Sequence, residues 1–171
     1  MSNIPLAPTK FAARRVTINV VDDYINPTIV VPPLYLQINP STFQMNYAKK
    51  INRTQTFAAY VEEYWGEDLD SITANNSTGG FISESDGITT INRTVTTPYF
   101  KFQDVLDVYR NNGNIYDNKG RVVKRGGVII FNHPGVYLGF FENFDYTEDA
   151  TSPYRFTFNF NFRVEKSYTS V

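Results

Sequence analysis

From residue 156 to 162 the chain reads Phe-Thr-Phe-Asn-Phe-Asn-Phe, a phenylalanine at every second position with a polar residue between. Alternate side chains of an extended strand point to opposite faces, so Phe156, Phe158, Phe160 and Phe162 share one face, with Thr157, Asn159, Asn161 and Arg163 on the other. Burying a phenyl ring is worth about 1.5–3 kcal/mol, so this face has to leave water, into the core of its own subunit or against another. The segments 136–146 and 154–164, joined by a polar turn, are predicted to pair as a long final hairpin.

The same alternation recurs upstream. Strands are predicted over 16–21, 34–38 (Leu34, Leu36 and Ile38 opposite Tyr35 and Gln37), 43–51 (Phe43, Met45 and Tyr47 opposite Gln44, Asn46 and Ala48), 54–65, 69–74 and 128–131. Within 54–65, Val61, Glu63 and Trp65 oppose Tyr60, Glu62 and Tyr64. Turn chemistry separates the strands at Asn39-Pro40-Ser41, Gly66-Glu67-Asp68, Asp117-Asn118-Lys119-Gly120 and Asn132-His133-Pro134-Gly135. An aromatic content of 16% fits pleated, half-buried surfaces. One helix interrupts the series: Phe102, Val105, Leu106 and Tyr109 follow helical spacing over 102–111, Pro98 lies upstream, and Asn112-Gly113 supplies a left-handed stop. The expected fold is mainly β, an antiparallel β-sandwich or barrel with one flanking α-helix after about five strands. A chain of 171 residues fits one such domain, over 16–171, preceded by an extended, proline-containing arm over 1–15.

Composition removes several functions. Net charge is −1, without the basic footprint of a non-specific nucleic-acid binder. The absence of cysteine removes disulfides and thiolate metal sites. The single histidine, His133, lies in a turn with no nucleophile placed beside it, and zinc enzymes take two or three imidazoles. Glu62, Glu63, Glu67, Asp68 and Asp70 form the one acidic concentration. Neighbouring Glu62 and Glu63 point to opposite strand faces, so they cannot make a glycosidase pair. Asp68 and Asp70 share a face and admit calcium, but without the 12-residue EF-hand loop; a solvated or interface rim is the expectation. Gly79-Gly80 and Gly126-Gly127 lack the context of phosphate loops. Arg121, Lys124 and Arg125 make a small basic cluster, read as a solvated loop or as a salt-bridging surface for the 62–70 rim of the next copy. Trp65 reads as a core residue, with stacking on a sugar as the other reading. The sequons at Asn52, Asn75, Asn76 and Asn92 are chance matches in a chain rich in Asn, Ser and Thr. No basic, apolar leader opens the chain and no apolar run approaches the ~20 residues of a bilayer span, so the chain is expected to be soluble and made inside the cell. No enzyme activity, catalytic residue, cofactor or metal is expected.

Three stretches in order resemble phage tail proteins of the tail-tube fold, in particular baseplate hub and tube-initiator proteins. The first is Ile38-Asn39-Pro40-Ser41-Thr42-Phe43, running on through Tyr47 and Lys50 to Thr56, similar to an I-N-P opening followed by a polar strand. The second is Trp65-Gly66-Glu67-Asp68-Leu69-Asp70-Ser71-Ile72, similar to W-G-x-x-L-x-x-I, with Thr78-Gly79-Gly80-Phe81 as T-G-x-F. The third is the terminal set of strands, in which residues 135–144 read G-V-Y-x-G-x-F-x-x-F before a Tyr/Phe-rich strand. The resemblance spans about 34–165. It implies a structural subunit of a phage tail or baseplate that forms a hexameric ring, nucleating or continuing the tail tube around a channel for DNA and the tape-measure protein. Its partners would be other copies of itself, neighbouring tube or baseplate rings, the tape-measure protein and DNA in transit without specific binding, with no membrane. The location would be the virion tail, assembled in the host cytoplasm. Many members of that family carry a C-terminal peptidoglycan-binding LysM module, which is not expected here.

The physics of the strands leads the same way, since a small sheet has edges that must be covered, and head-to-tail pairing around a ring covers them. Contacts between copies are expected at Phe43, Tyr47, Lys50, Glu62, Trp65, Asp68, Arg121 and Arg125, with hairpins from 35–51 and 54–65 on the inner wall and the helix outside. The alternative from another class is a carbohydrate-binding β-sandwich of a virion or cell-surface protein, with Trp65 or a row of Tyr exposed.

Overall fold

The structure, a computed structural model, describes residues 16–23, 26–30, 32–57, 59–82, 92–132 and 135–169. The arm over 1–15, the polar stretch 83–87 and His133-Pro134 lie outside the described residues. In chain order the elements are β1 (Thr17–Val21), β2 (Leu34–Tyr35), β3 (Thr42–Asn46), β4 (Lys49–Gln55), β5 (Tyr60–Glu67), β6 (Asp70–Ser77), α1 (Thr97–Asn111), β7 (Asn114–Tyr116), β8 (Val122–Arg125), β9 (Gly127–Asn132), β10 (Gly135–Glu148) and β11 (Phe156–Thr169). The chain is mainly β, a large antiparallel sheet with one helix, as the strand periodicity predicts.

Seven strands form that sheet in the order β2-β1-β9-β10-β11-β6-β3. Its centre is the predicted final hairpin: β10 and β11 pair from Gly135↔Thr169 to Glu148↔Phe156, with irregularities at Leu138/Gly139 and Phe141/Asn143. The alternating phenylalanines face the subunit's own core, with Phe156, Phe158, Phe160 and Phe162 at 3%, 4%, 1% and 0% exposure. Register carries this face sideways: Phe160 lies between Phe144 and Ala74, and Phe162 between Phe141 and Ile72. Rings then pack edge to face, Phe141 standing 5.3 Å from Phe160 and 5.2 Å from Phe162.

The sheet curls. A connection over 36–41 joins β2 at one edge to β3 at the other, and so short a segment reaches about 25 Å at most. Seven strands laid flat would set those edges about 29 Å apart. The curl also brings the Phe43 ring of edge strand β3 within 6.4 Å of Tyr137 on β10. Buried residues from β1, β6, β9, β10 and β11 accordingly form one cluster with those of α1.

The helix fills the open side of the curl. It begins at Thr97, earlier than the apolar spacing predicts, because Pro98 sits in the first turn, where no intrahelical N–H is needed. Phe102 inserts among Phe144, Tyr146, Phe156 and Phe158, with centroids 5.2–6.1 Å away. The predicted stop is there: Asn112 takes φ 47°, and its N–H reaches the Val108 carbonyl at 2.7 Å. Its side chain has a second use. Asn112 Nδ2 donates to the Phe141 carbonyl at 2.9 Å and Asn112 Oδ1 accepts from the Phe141 N–H at 2.8 Å, so one amide occupies the β10 edge as a paired strand would.

Behind β1, β9 and β10 a smaller cluster of Val21, Ile129, Val136 and Leu138, packed with Ile29 and Tyr168, covers the other face. That explains why Val128, Ile129 and Ile130 read as an unbroken apolar run, since a strand buried on both faces does not alternate.

Three predicted strands differ clearly from the elements found, the first being 34–38, where only Leu34–Tyr35 is strand, as β2. The run 43–51 divides into β3 and β4, and the run 54–65 is the end of β4, a turn and β5. Thr56 makes that turn: its N–H donates to the Ala59 carbonyl at 2.7 Å and its Oγ1 accepts from the Ala59 N–H at 3.2 Å. Alternation alone does not reveal such a turn, because Thr56 and Phe57 also suit a strand.

Candidate functional site

Two hairpins stand apart from the seven-stranded sheet. Among the described residues, the strands β4 and β5 pair as strands only with each other, as do β7 and β8.

The β4–β5 hairpin is exposed along its whole length. Its register pairs Ile51 with Tyr64, Arg53 with Glu62 and Gln55 with Tyr60. Arg53 Nε meets Glu62 Oε1 at 2.8 Å, and the Tyr64 hydroxyl donates to Glu62 Oε2 at 3.4 Å, which fixes these side chains on one face. Val61, Glu63 and Trp65 occupy the other. Exposure reaches 69% at Tyr60, 71% at Tyr64 and 66% at Trp65, and Phe57 at the turn is fully exposed. At the base the Asp68 N–H donates to the Ala48 carbonyl at 3.0 Å, and Gly66 takes φ 99°. A two-stranded hairpin with water on both faces is marginal by itself, and exposed aromatic residues in such numbers mark a surface meant for contact.

The β7–β8 hairpin carries the predicted 117–120 turn. Asp117 Oδ1 accepts from the N–H groups of Lys119 (2.8 Å) and Arg121 (2.9 Å), while its Oδ2 takes the Arg121 guanidinium at 2.8 Å. At the root, Lys124 Nζ meets Asp22 Oδ2 at 3.0 Å, tying the hairpin to the end of β1. Gly126 packs so tightly there that a Cβ would lie 2.0 Å from the Val21 carbonyl oxygen and 2.6 Å from that of Gly113. All four residues of β8 are nevertheless exposed, Val122 at 48% and Val123 at 66%.

Both anchoring carboxylates titrate below the ordinary 3.8. The Lys124 ammonium bonded to Asp22 is the main cause for one, and the Arg121 backbone N–H bonded to Asp117 for the other. A depressed folded-state value means stability that is present above pH 3.8 and lost as pH falls through the lower folded value. Amide hydrogen exchange should therefore report the β7–β8 hairpin opening below pH 3.8 before the seven-stranded sheet does; equal protection of the two at that pH would contradict the anchoring roles of Asp22 and Asp117.

The residues expected at contacts fall into three groups. Tyr47, Lys50, Glu62, Trp65 and Asp68 all lie on or at the base of the β4–β5 hairpin and are exposed. Arg121 and Arg125 lie on the β7–β8 hairpin, also exposed. Phe43 is half-buried at the edge of the core. Trp65 is not the core residue that a lone strand tryptophan suggests. Sequence reasoning missed Phe57, Tyr60, Tyr64, Val122 and Val123. A usable signal was present for β5, whose two faces both mix apolar or aromatic residues with a glutamate, so neither suits one core. Asp68 Oδ1 accepts from the Leu69 N–H at 2.8 Å, and among the described residues no group of three or more Asp, Glu or His side chains could hold a metal ion. Asn76 faces inward at 5% exposure, closing its sequon in the folded chain. No helix among the described residues is long and apolar enough to cross a membrane.

No family model and no curated protein matches the chain. Among solved structures it is similar to a chain of the sheath–tube complex of an extracellular contractile injection system (PVC) in the extended state, at 12% identity over 97% of this chain and 100% of that one, with a TM-score of 0.40. It is also similar to a chain of the sheath/tube terminator of that system, at 11% identity over 100% of both chains and a TM-score of 0.36. A third likeness is to a chain of the anti-feeding prophage cap, a tube-terminating cap, at 10% identity over 98% of this chain and 93% of that one, with a TM-score of 0.37. Likeness at this level transfers no residue role.

Proposed function

We propose that this chain is a structural subunit of a phage tail or phage-like tail particle, which works by closing into a ring with copies of itself. The observation that carries the reading is the β4–β5 hairpin: two strands outside the main sheet, exposed on both faces, with Tyr60, Tyr64 and Trp65 each about two-thirds in water. Contact with the next copy would satisfy the hairpin's free backbone edges and bury those rings, and a contact between unlike surfaces that closes on itself makes a cyclic oligomer. The order of the three sequence stretches supports a hexameric ring at the tube, its initiator or the baseplate hub. In that setting the hairpins line a channel for the tape-measure protein and for DNA in transit. The arm over 1–15 reaches an adjacent ring, and the particle assembles in the host cytoplasm. Such a subunit needs no active site.

Trp65 is the chain's sole tryptophan, so its fluorescence reads the hairpin alone. As concentration rises, sedimentation velocity should show rings or tubes forming, electron microscopy should show them hollow, and Trp65 emission should shift to the blue as water leaves it. A chain that stays monomeric with unchanged emission defeats the proposal.

The exposure of Trp65 also favours a second reading, a carbohydrate-binding module. Trp65 lies on the face opposite Tyr60 and Tyr64, so the three do not form one stacking platform. Saturable quenching of monomer fluorescence by an oligosaccharide would favour that module over the ring.

A further inference from the structure

We infer that β8 and the turn before it dock along the free edge of β5 in a second copy, with Lys119 and Arg125 of one subunit meeting Glu63 and Glu67 of the other. The inference deepens the ring reading and rests on it.

Residues 114–125 carry Lys119, Arg121, Lys124 and Arg125 against Asp117, a net charge of +3 in one projecting hairpin. Residues 60–70 carry Glu62, Glu63, Glu67, Asp68 and Asp70 and no cation, a net charge of −5. The cations of that second hairpin, Lys49, Lys50 and Arg53, are all on β4, and its acids, Glu62, Glu63 and Glu67, are all on β5, with Arg53 opposite Glu62 and Lys49 opposite Glu67 in register.

Internal bonds then sort these groups. Arg121 is held by Asp117, Lys124 by Asp22, and Glu62 by Arg53, while Asp68 caps the Leu69 N–H. Lys119, Arg125, Glu63 and Glu67 have no ion-pair partner among the described residues. Two unpaired cations on one hairpin thus match two unpaired anions on the other.

Apolar surface matches as well. Val122 and Val123, exposed at 48% and 66%, have counterparts in Val61 at 47% and Trp65 at 66%. Phosphates would answer the cations but leave the valines in water, whereas β5 answers both. The root of the β7–β8 hairpin is fixed by Gly126 and by the Lys124–Asp22 pair, so the arm is held in place before its partner arrives. Opposed potentials on unlike surfaces steer association and set register, which a head-to-tail ring or stack requires.

Charge reversal tests the contact. Lys119→Glu with Arg125→Glu, and separately Glu63→Lys with Glu67→Lys, should each weaken self-association in sedimentation velocity by about tenfold or more, since like charges then face each other. The chain carrying all four reversals should assemble as the wild type does. High salt should weaken wild-type assembly in the same direction, because screening acts on exposed charges. Circular dichroism checks the fold of each variant; if a reversal disturbs it, the Gln substitutions at the same four positions are read instead, with a smaller loss expected. Wild-type-like assembly of either double reversal, or failure of the fourfold variant to recover, overturns the contact and leaves the ring standing. A wild-type chain that never associates overturns both.

Discussion

A chain in which residues 49–67 are replaced by a short Gly-Ser turn is expected to fold with wild-type stability and to form no rings or tubes. The first half of that result follows from where the hairpin is attached. Neither β4 nor β5 pairs with the seven-stranded sheet, and none of their residues belongs to the buried core. Ala48 and Asp68, on either side of the cut, are already joined by a backbone hydrogen bond of 3.0 Å, so a turn of a few residues closes the gap. Removing the hairpin takes exposed apolar surface away from water and costs no core contact, so the unfolding free energy read from urea titration should stay within the few tenths of a kcal/mol typical of surface changes. The second half follows from the ring reading, in which those strands and their aromatic residues supply the contact. Sedimentation velocity and electron microscopy read it directly. Assembly by the shortened chain at wild-type concentration would remove the hairpin from the mechanism, and a collapse of its stability would show that the hairpin belongs to the fold.

Phe160→Ala should have the opposite profile, a large loss of stability with the hairpin surface untouched. Phe160 is 1% exposed, sits between Phe144 and Ala74 across the sheet, and meets the Phe141 ring edge to face at 5.3 Å. Deleting a buried phenyl ring removes its transfer free energy and leaves a cavity that a packed aromatic cluster cannot fill, a combined cost of about 3–5 kcal/mol. Total stabilities of single domains run to about 5–15 kcal/mol, so much of the margin would go. On the same strand, Asn159→Ala changes an outward, exposed side chain and should move stability by no more than about 0.5 kcal/mol. Urea unfolding of the two variants side by side reads the contrast. Similar midpoints for both would mean that the phenylalanine face is not the core.

These two profiles separate what in this chain makes the fold from what is left over for assembly, and the sequence marks the first far more clearly than the second. The β11 alternation was legible because its period is strict and its two faces differ completely, so one residue of slip would put four phenyl rings in water. The helix stop at Asn112-Gly113 was legible because a left-handed backbone narrows the choice of residue. The start of the helix was less so, since Pro98 is read as a break as readily as a first turn. For 54–65 the pattern misled: Thr56 and Phe57 have strand propensity, and the local bonds of Thr56 that reverse the chain are visible only once Ala59 is brought back to it.

Candidate contact residues followed the same division. Charges in the 62–70 rim and around 121–125 could be named from the sequence, because charged side chains are on the surface in almost any fold. Which of them are spent internally could not, since the pairing of Lys124 with Asp22 joins residues far apart in the chain. Trp65 was misjudged as core because burial is decided by the element's neighbours, and β5 has only β4.

What the order of residues determined alone was local: strand periodicity, a helix and its end, the turns, a buried aromatic face, and the absence of cysteine chemistry. The tertiary structure decided everything that depends on which strands become neighbours, namely the curl of the sheet, the burial of β9 on both faces, and the isolation of two hairpins from it. The reason is physical. Periodicity is a property of one segment, but exposure is a property of what another segment leaves uncovered.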